Sequence, residues 1–216
     1  MNYKACIFDF DGTLVDSMPY WAEKMLRILR VTNTPVPDGL VKHIATLGDA
    51  GTAKYFREEL GVPMSVEEMY RMMDEYALPK YRDEIIFKPG VRDYLAHLRS
   101  TGVTTCVLTA SPHKMLDPCL KRLGVFDWFH KVWTTEDFGI TKADPAIYRE
   151  AAARLGLEIS DCLFFDDNSG AVRTAASAGM PTVGVFDPTG EDFLDAMKAT
   201  ATYYADSFCS LPQELI

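Results

Sequence analysis

The sequence predicts an α/β protein: a doubly wound, Rossmann-like parallel sheet carrying an inserted, all-helical cap domain. Three observations carry that expectation. Short, almost continuously apolar runs alternate with segments of helical periodicity, the pattern of parallel strands covered on both faces. One stretch, residues 17–88, interrupts the alternation with helical spacing alone. The length, 216 residues, exceeds an ordinary single domain without reaching two.

The strands read as residues 4–10, 103–109, 131–134, 162–165 and 182–186, with 202–205 as a weaker sixth. Between them Val91, Tyr94, Leu95 and Leu98 repeat at helical spacing and stop at Gly102. Ser111 before Pro112 reads as an N-cap and first helical residue, with the helix ending at Gly124. Asp144 and Pro145 open another helix that closes near Gly156, and Val172, Ala175 and Ala176 lead to Gly179. Inside the insert, Trp21, Met25 and Leu29 form one stripe and Ala53, Phe56 and Leu60 another. Ser65 and Glu68 make a capping box ahead of Met69, Met72, Met73 and Tyr76. Residues 33–37 break the helices, and Lys88, Pro89 and Gly90 mark the return to alternation. The expected division is therefore a core of residues 1–16 and 89–216 with the helical insert 17–88 between them. Its methionines read as the insert's own core rather than as a binding surface.

Composition narrows the function. Hydrophobic residues make up 48% and charged residues 25%, a globular balance. Acidic residues outnumber basic ones 31 to 22, which argues against a nucleic-acid or anionic-membrane surface. No run approaches a membrane span, and the first residues lack a signal-peptide pattern. The five cysteines are scattered without a close pair; Cys6, Cys106 and Cys162 lie in apolar runs and read as reduced, inert thiols of a cytoplasmic protein. A monomer is expected.

The chemistry gathers at strand ends, where open α/β sheets bind ligands. Asp9 and Asp11 close the first strand, two residues apart and so expected on the same side, and Gly12 lets the chain turn after them. Thr109 and Ser111 end the second strand beside a helix start, an anion site in waiting. Lys142 precedes the Asp144 helix, and Asp166-Asp167 end a further apolar run. Each feature alone has an ordinary explanation as turn, cap or solvated residue. Together, acids at matching strand ends with a lysine and hydroxyls beside them suit a hard cation and a phosphate.

Asp9-Phe10-Asp11-Gly12-Thr13, then Thr109, Lys142 and Asp166-Asp167, resembles the four ordered motifs of the haloacid dehalogenase superfamily, over essentially the whole chain. The insert is similar to that superfamily's C1 cap, and Lys142–Tyr148 and Ala175–Met180 are similar to its phosphatase and phosphomutase branch, with Ala143 where many relatives carry proline. The resemblance implies a phosphomonoester hydrolase. Asp9 would be the nucleophile forming an aspartyl-phosphate, and Asp11 the acid and then base. Thr109 and Lys142 would hold the phosphoryl group. Asp9 and Asp167, with Asp166 either as a direct ligand or as a partner behind it, would bind Mg²⁺ together with the Asp11 main-chain carbonyl. Thr13 would tune Asp11 by a hydrogen bond, Ser111 would contact phosphate, and Asp16 and Ser17 would form the hinge into the cap. Trp21 would line the substrate pocket, with a packing role equally open.

Asp11 argues against the dehalogenase branch. No lysine of the insert (Lys24, Lys42, Lys54) carries a sequence mark of the desolvation that a Schiff-base phosphonate hydrolase needs. The rival enzyme is a β-phosphoglucomutase-like mutase. Tyr20-Trp21 stands where mutases place a cap histidine, and the loop Thr46-Leu47-Gly48-Asp49-Ala50-Gly51 lacks their basic pair. A catalytically idle phosphate-binding protein is the rival from another class. The expected substrate is a small, singly phosphorylated metabolite, sugar phosphate and phosphoglycolate both being open.

Overall fold

The computed structural model describes residues 2–45 and 47–216; Thr46, which the sequence reading placed in the cap loop, lies outside the described residues. Six strands form one parallel sheet: β1 (Ala5–Phe8), β2 (Thr104–Thr109), β3 (Lys131–Thr134), β4 (Cys162–Asp166), β5 (Thr182–Val185) and β6 (Tyr203–Ala205). Their order is β3-β2-β1-β4-β5-β6. The chain winds one way from β1 to β3 and the other way from β4 to β6. The reversal leaves a crevice at the carboxyl end of β1, where ligands of such sheets bind.

Strand periodicity explains the two-sided core. Ala5 and Ile7 of β1, Cys106 and Leu108 of β2, and Cys162 and Phe164 of β4 join one buried cluster with Ile147, Tyr148 and Ala151. The alternate residues, Cys6, Phe8, Val107, Leu163 and Phe165, join the cluster on the other face. The first of these faces packs α7 (Ala146–Arg154) and α8 (Ser169–Ala178), and the second packs α5 (Val91–Ser100) and α6 (His113–Arg122). The four cysteines on the strands and α6 are buried and unpaired, and Cys209 is exposed. Burial pushes the Cys106 thiol up to about 12, as the inert-thiol reading requires.

Between β1 and α5 the described residues form four helices and no strand: α1 (Met18–Val31), α2 (Leu40–Ala45), α3 (Gly48–Glu58) and α4 (Val66–Asp83). A third cluster holds them together, built from Met25, Leu29, Ala53, Phe56, Met69 and Met73 among others. The capping box at Ser65 and Glu68 opens α4 as expected. Pro79 lies inside α4 and marks a change of company along it: Met69 and Met73 pack within the insert, whereas Ala77 and Tyr81 pack with the sheet. Met72 packs against the edge of this cluster, as the methionine stripe predicts, and with Tyr76 and Arg27 it also lines an outer cleft. The short helix α9 (Leu194–Thr200) precedes β6.

Several boundaries differ from the sequence reading. β1 ends at Phe8, before the acids, and the turn follows at residues 12–14. Helix α6 starts at His113 with Pro112 as its N-cap, so Ser111 does not cap it. Helix α7 starts at Ala146, whose N–H Asp144 accepts at 2.8 Å. Gly48, Asp49, Ala50 and Gly51 are the first turn of α3, not a loop.

Phe165 tests the core. It is fully buried and stacks on Phe8 with ring centroids 4.5 Å apart. Phe165→Ala is expected to cost about 3–5 kcal/mol in urea unfolding; a loss below about 1 kcal/mol would contradict this packing.

Candidate active site at the carboxyl edge of the sheet

The turn after β1 sorts its acids onto two sides. Asp9 is buried, its N–H bonded to Phe165 O at 2.8 Å, and its Oδ1 accepts from Lys142 Nζ at 2.6 Å. Asp11 faces elsewhere: Oδ1 accepts from Ser17 Oγ at 2.6 Å and from Tyr81 OH at 2.5 Å, and Oδ2 accepts from Ser111 Oγ. The two carboxylates thus have separate partners, although Asp11 lies close enough for its charge to act on Asp9.

Lys142 joins the elements. Its Nζ bridges Asp9 Oδ1 and Asp166 Oδ2, the latter at 2.7 Å. The Tyr148 hydroxyl lies 2.9 Å from the Lys142 carbonyl and anchors the loop to α7. Burial alone would lower the lysine's pKa, but Asp166 and Asp9 hold it well above the ordinary value. The acids respond in the opposite sense. Burial pushes Asp9 up to about 7, with Lys142 opposing and Asp166 and Asp11 adding to the rise. Asp167 is raised well above the usual carboxylate range by its enclosure, then by Asp166, Asp9 and Asp187.

One ligand oxygen each from Asp9, Asp166 and Asp167 lies within 4.8 Å of the others. Such an all-oxygen set, with more negative charge than one lysine balances, fits a hard divalent cation. The Asp11 carboxylate stands outside this group and is committed to three hydroxyls, so the residue's place among the metal ligands rests on its main-chain carbonyl alone. Asp166 has one oxygen on Lys142 and the other accepting from Asn168 N at 2.7 Å. Asp167 has Oδ1 accepting from Thr13 Oγ1 at 2.9 Å, and its N–H bonds back to Thr13 Oγ1 at 3.0 Å. Thr13 therefore tunes Asp167, not Asp11 as the sequence reading had it.

Thr109 is buried at the end of β2, and its Oγ1 accepts from Ser111 N at 3.1 Å. Ser17 precedes α1, but its hydroxyl goes to Asp11 rather than capping the helix. A cavity of about 280 Å³ opens beside Asp167, between the start of α8 at Asn168 and Ser169 and the insert's Met18 and Ala45.

Tyr81 and Lys88 escaped the sequence reading. Tyr81 comes from the far end of the insert, seventy residues from Asp11, and nothing in its local pattern marks it. Lys88 Nζ reaches Gly12 O at 2.6 Å, Phe186 O at 2.7 Å and Asp187 Oδ2 at 3.0 Å, tying the acid turn to the end of β5. Within the insert, Lys24 proves to be buried, the desolvation no sequence mark announced; Asp49 Oδ2 accepts from its amine at 2.7 Å. Lys42 and Lys54 are exposed. Trp21 Nε1 donates to Asp49 Oδ1 at 3.0 Å.

An acid-lined crevice at the switch point of a doubly wound sheet, with one lysine spanning two of its acids, suits a divalent cation and a phosphoryl group. The sequence profile of the haloacid dehalogenase-like hydrolases matches residues 3–179, and the chain belongs to that family. The Bacillus subtilis protein YhcW, named as a phosphatase, is 30% identical over 181 residues, covering 83% of this chain and 82% of its own. Hexitol phosphatase B of Escherichia coli K12 is 26% identical over 194 residues, covering 87% and 86%. Among solved structures, Rhodobacter sphaeroides CbbY, bound to xylulose-(1,5)bisphosphate, has a TM-score of 0.80 at 20% identity and 95% coverage of each chain. That last likeness speaks for the fold alone.

Gly12 tests the packing of this edge. Its φ is 76°, and a Cβ there would lie 2.5 Å from Asp167 Oδ2. Gly102 has φ 75° and open space around it. Both alanine variants carry the left-handed penalty of about 1–2 kcal/mol, but Gly12→Ala must also displace Asp167. Chemical unfolding should show Gly12→Ala as the more destabilised by at least about 1 kcal/mol; equal losses would contradict the close approach.

Proposed function

We propose that the chain is a Mg²⁺-dependent phosphatase that hydrolyses a small phosphomonoester, of a sugar, a polyol or a glycolate-like acid, through a phosphorylated Asp9. The observation that carries this reading is Lys142 spanning Asp9 and Asp166 beside Asp167, with Asp11 two residues on from Asp9 and held by hydroxyls of its own. The reading includes a core of residues 1–16 and 89–216 under a helical cap, 17–88, working as a cytoplasmic monomer on a small metabolite, with neither nucleic acid nor membrane as partner. No helix among the described residues is long and apolar enough to cross a membrane.

The proposed chemistry follows from the two sides of the turn. An Asp9 oxygen attacks phosphorus; the phosphorus–oxygen bond to the alcohol breaks as Asp11 passes a proton to the leaving oxygen. Water then attacks the phosphorylated Asp9, Asp11 takes its proton, and inorganic phosphate leaves with Asp9 regenerated. Ser17, Tyr81 and Ser111 fix the Asp11 carboxyl for both transfers. Lys142 and Thr109 hold charge and oxygens of the transferring group. Mg²⁺ would be held by Asp9 and Asp167 with the Asp11 carbonyl, and would neutralise phosphate charge. Asp166, both of whose oxygens already have protein donors, would act through Lys142.

The rival enzymes are less well supported. Where mutases carry basic groups the insert presents Trp21 and Asp49, and the Lys24 amine is engaged by a carboxylate rather than offered as a nucleophile.

Asp9→Asn is expected to reduce phosphate release from generic phosphomonoesters by at least about 10³-fold. If wild type and variant behave alike, the protein is not this enzyme; isomerised sugar phosphate made only with a bisphosphate primer would identify a mutase. Metal removal gives a second test. Folded Asp9 titrates at about 7 against 3.8 for an unperturbed carboxyl, so the folded state binds more protons in that window. Chelated protein should therefore lose stability as pH rises from about 4 to about 7. Saturating Mg²⁺ should raise Tm more at pH 8 than at pH 5; an equal increment at both would count against the acid cluster as its site.

A further inference from the structure

We propose that Asp49 accepts a hydroxyl of the leaving alcohol, making the substrate the monophosphate of a polyol or sugar rather than of a carboxylic acid; this rests on the phosphatase reading of the site beneath it.

The placement comes from helix α1. Ser17, Trp21 and Lys24 follow one another at helical spacing on a single face. Ser17 Oγ touches Asp11, the Trp21 N–H bonds to Ser17 O at 2.9 Å one turn on, and both Trp21 and Lys24 donate to Asp49. Tyr81 closes the column from the other side. Its hydroxyl bonds Asp11, and the nearby Asp49 carboxylate adds to the rise that burial and Asp11 impose on its ionisation. Asp49 thus stands over Asp11, the side from which the alcohol departs.

The donors define what Asp49 can do. Lys24 is buried, with 4% of its side chain exposed, whereas Asp49 keeps 38%. Trp21 takes one carboxylate oxygen and Lys24 the other. A carboxylate oxygen has more than one acceptor direction, so the partly exposed Asp49 keeps acceptor capacity on both oxygens. The result is an oriented acceptor whose charge Lys24 balances. It suits hydroxyl donors and is mismatched to a second phosphate or a carboxylate, which bring only acceptors.

The test separates recognition from catalysis. Binding of a hexitol 6-phosphate, n-hexyl phosphate and phosphoglycolate to the Asp9→Asn protein, with Mg²⁺, is measured by calorimetry. The hexitol ester should bind at least about tenfold more tightly than either of the others, the scale of one hydrogen bond to a charged group. Adding Asp49→Ala should bring the hexitol-to-hexyl ratio to within about threefold. Because that change strands a buried amine, the same measurement is made with Lys24→Met and Asp49→Leu together, which leave no unpaired charge. A ratio that survives either substitution in folded protein, or tighter binding of phosphoglycolate than of the hexitol ester, overturns the proposal. Turnover by wild type is scored separately. Hydroxyl preference without hydrolysis would sink the phosphatase reading and support this one; hydrolysis without hydroxyl preference would do the reverse.

Discussion

The structure of the site depends on one ammonium group holding two carboxylates. Asp9 and Asp166 arrive from adjacent strands β1 and β4, and the parallel register that pairs Phe8 with Phe165 brings the ends of both to the same height. Left to themselves such acids repel, and burial makes the repulsion worse. Lys142 Nζ sits 2.6 Å from one and 2.7 Å from the other, and the Tyr148 hydroxyl holds the loop that delivers it. Even so, Asp9 and Asp167 stay shifted toward their protonated forms. The remaining imbalance is what gives the edge its affinity for a divalent cation.

That balance also reconciles an acidic chain with the proposed phosphate-ester substrate. Residues 17–88 carry 10 basic and 11 acidic side chains, and the remainder of the chain carries 12 and 20. The excess lies outside the insert, and Asp9, Asp11, Asp166 and Asp167 concentrate part of it at one edge. Bulk charge therefore bears on the surface, while the site answers to its own cation and Lys142. Asp11 is kept apart from the cluster by three hydroxyls, two from the insert's ends (Ser17 and Tyr81) and one from the loop after β2 (Ser111).

Legibility in the sequence followed the range of the forces involved. Strands and helices were readable because their signals are local: an apolar run, a period, a capping pair at Ser65 and Glu68. Asp9 and Asp166-Asp167 were readable because they close such runs, and Lys142 because it precedes a helix start. Side-chain partners were not. Thr13, expected on Asp11, is bonded to Asp167, 154 residues away; Tyr81 and Lys88 meet the site from the end of the insert. Lys24 carries no sequence mark of burial, since only the packing of α1 and α3 brings it to Asp49.

The sequence by itself determined the doubly wound architecture, the position of the helical insert and the set of acids at the strand ends, because hydrophobic period and turn chemistry act over a few residues. Tertiary structure decided how those acids are shared out. Asp9 pairs with Lys142 beside Asp166 and Asp167, while Asp11 accepts from Ser17, Tyr81 and Ser111. It also decided that α1 and α3 place Trp21, Lys24 and Asp49 in one column above Asp11. Contacts of that kind depend on where separate helices cross, and no local period in the chain encodes it.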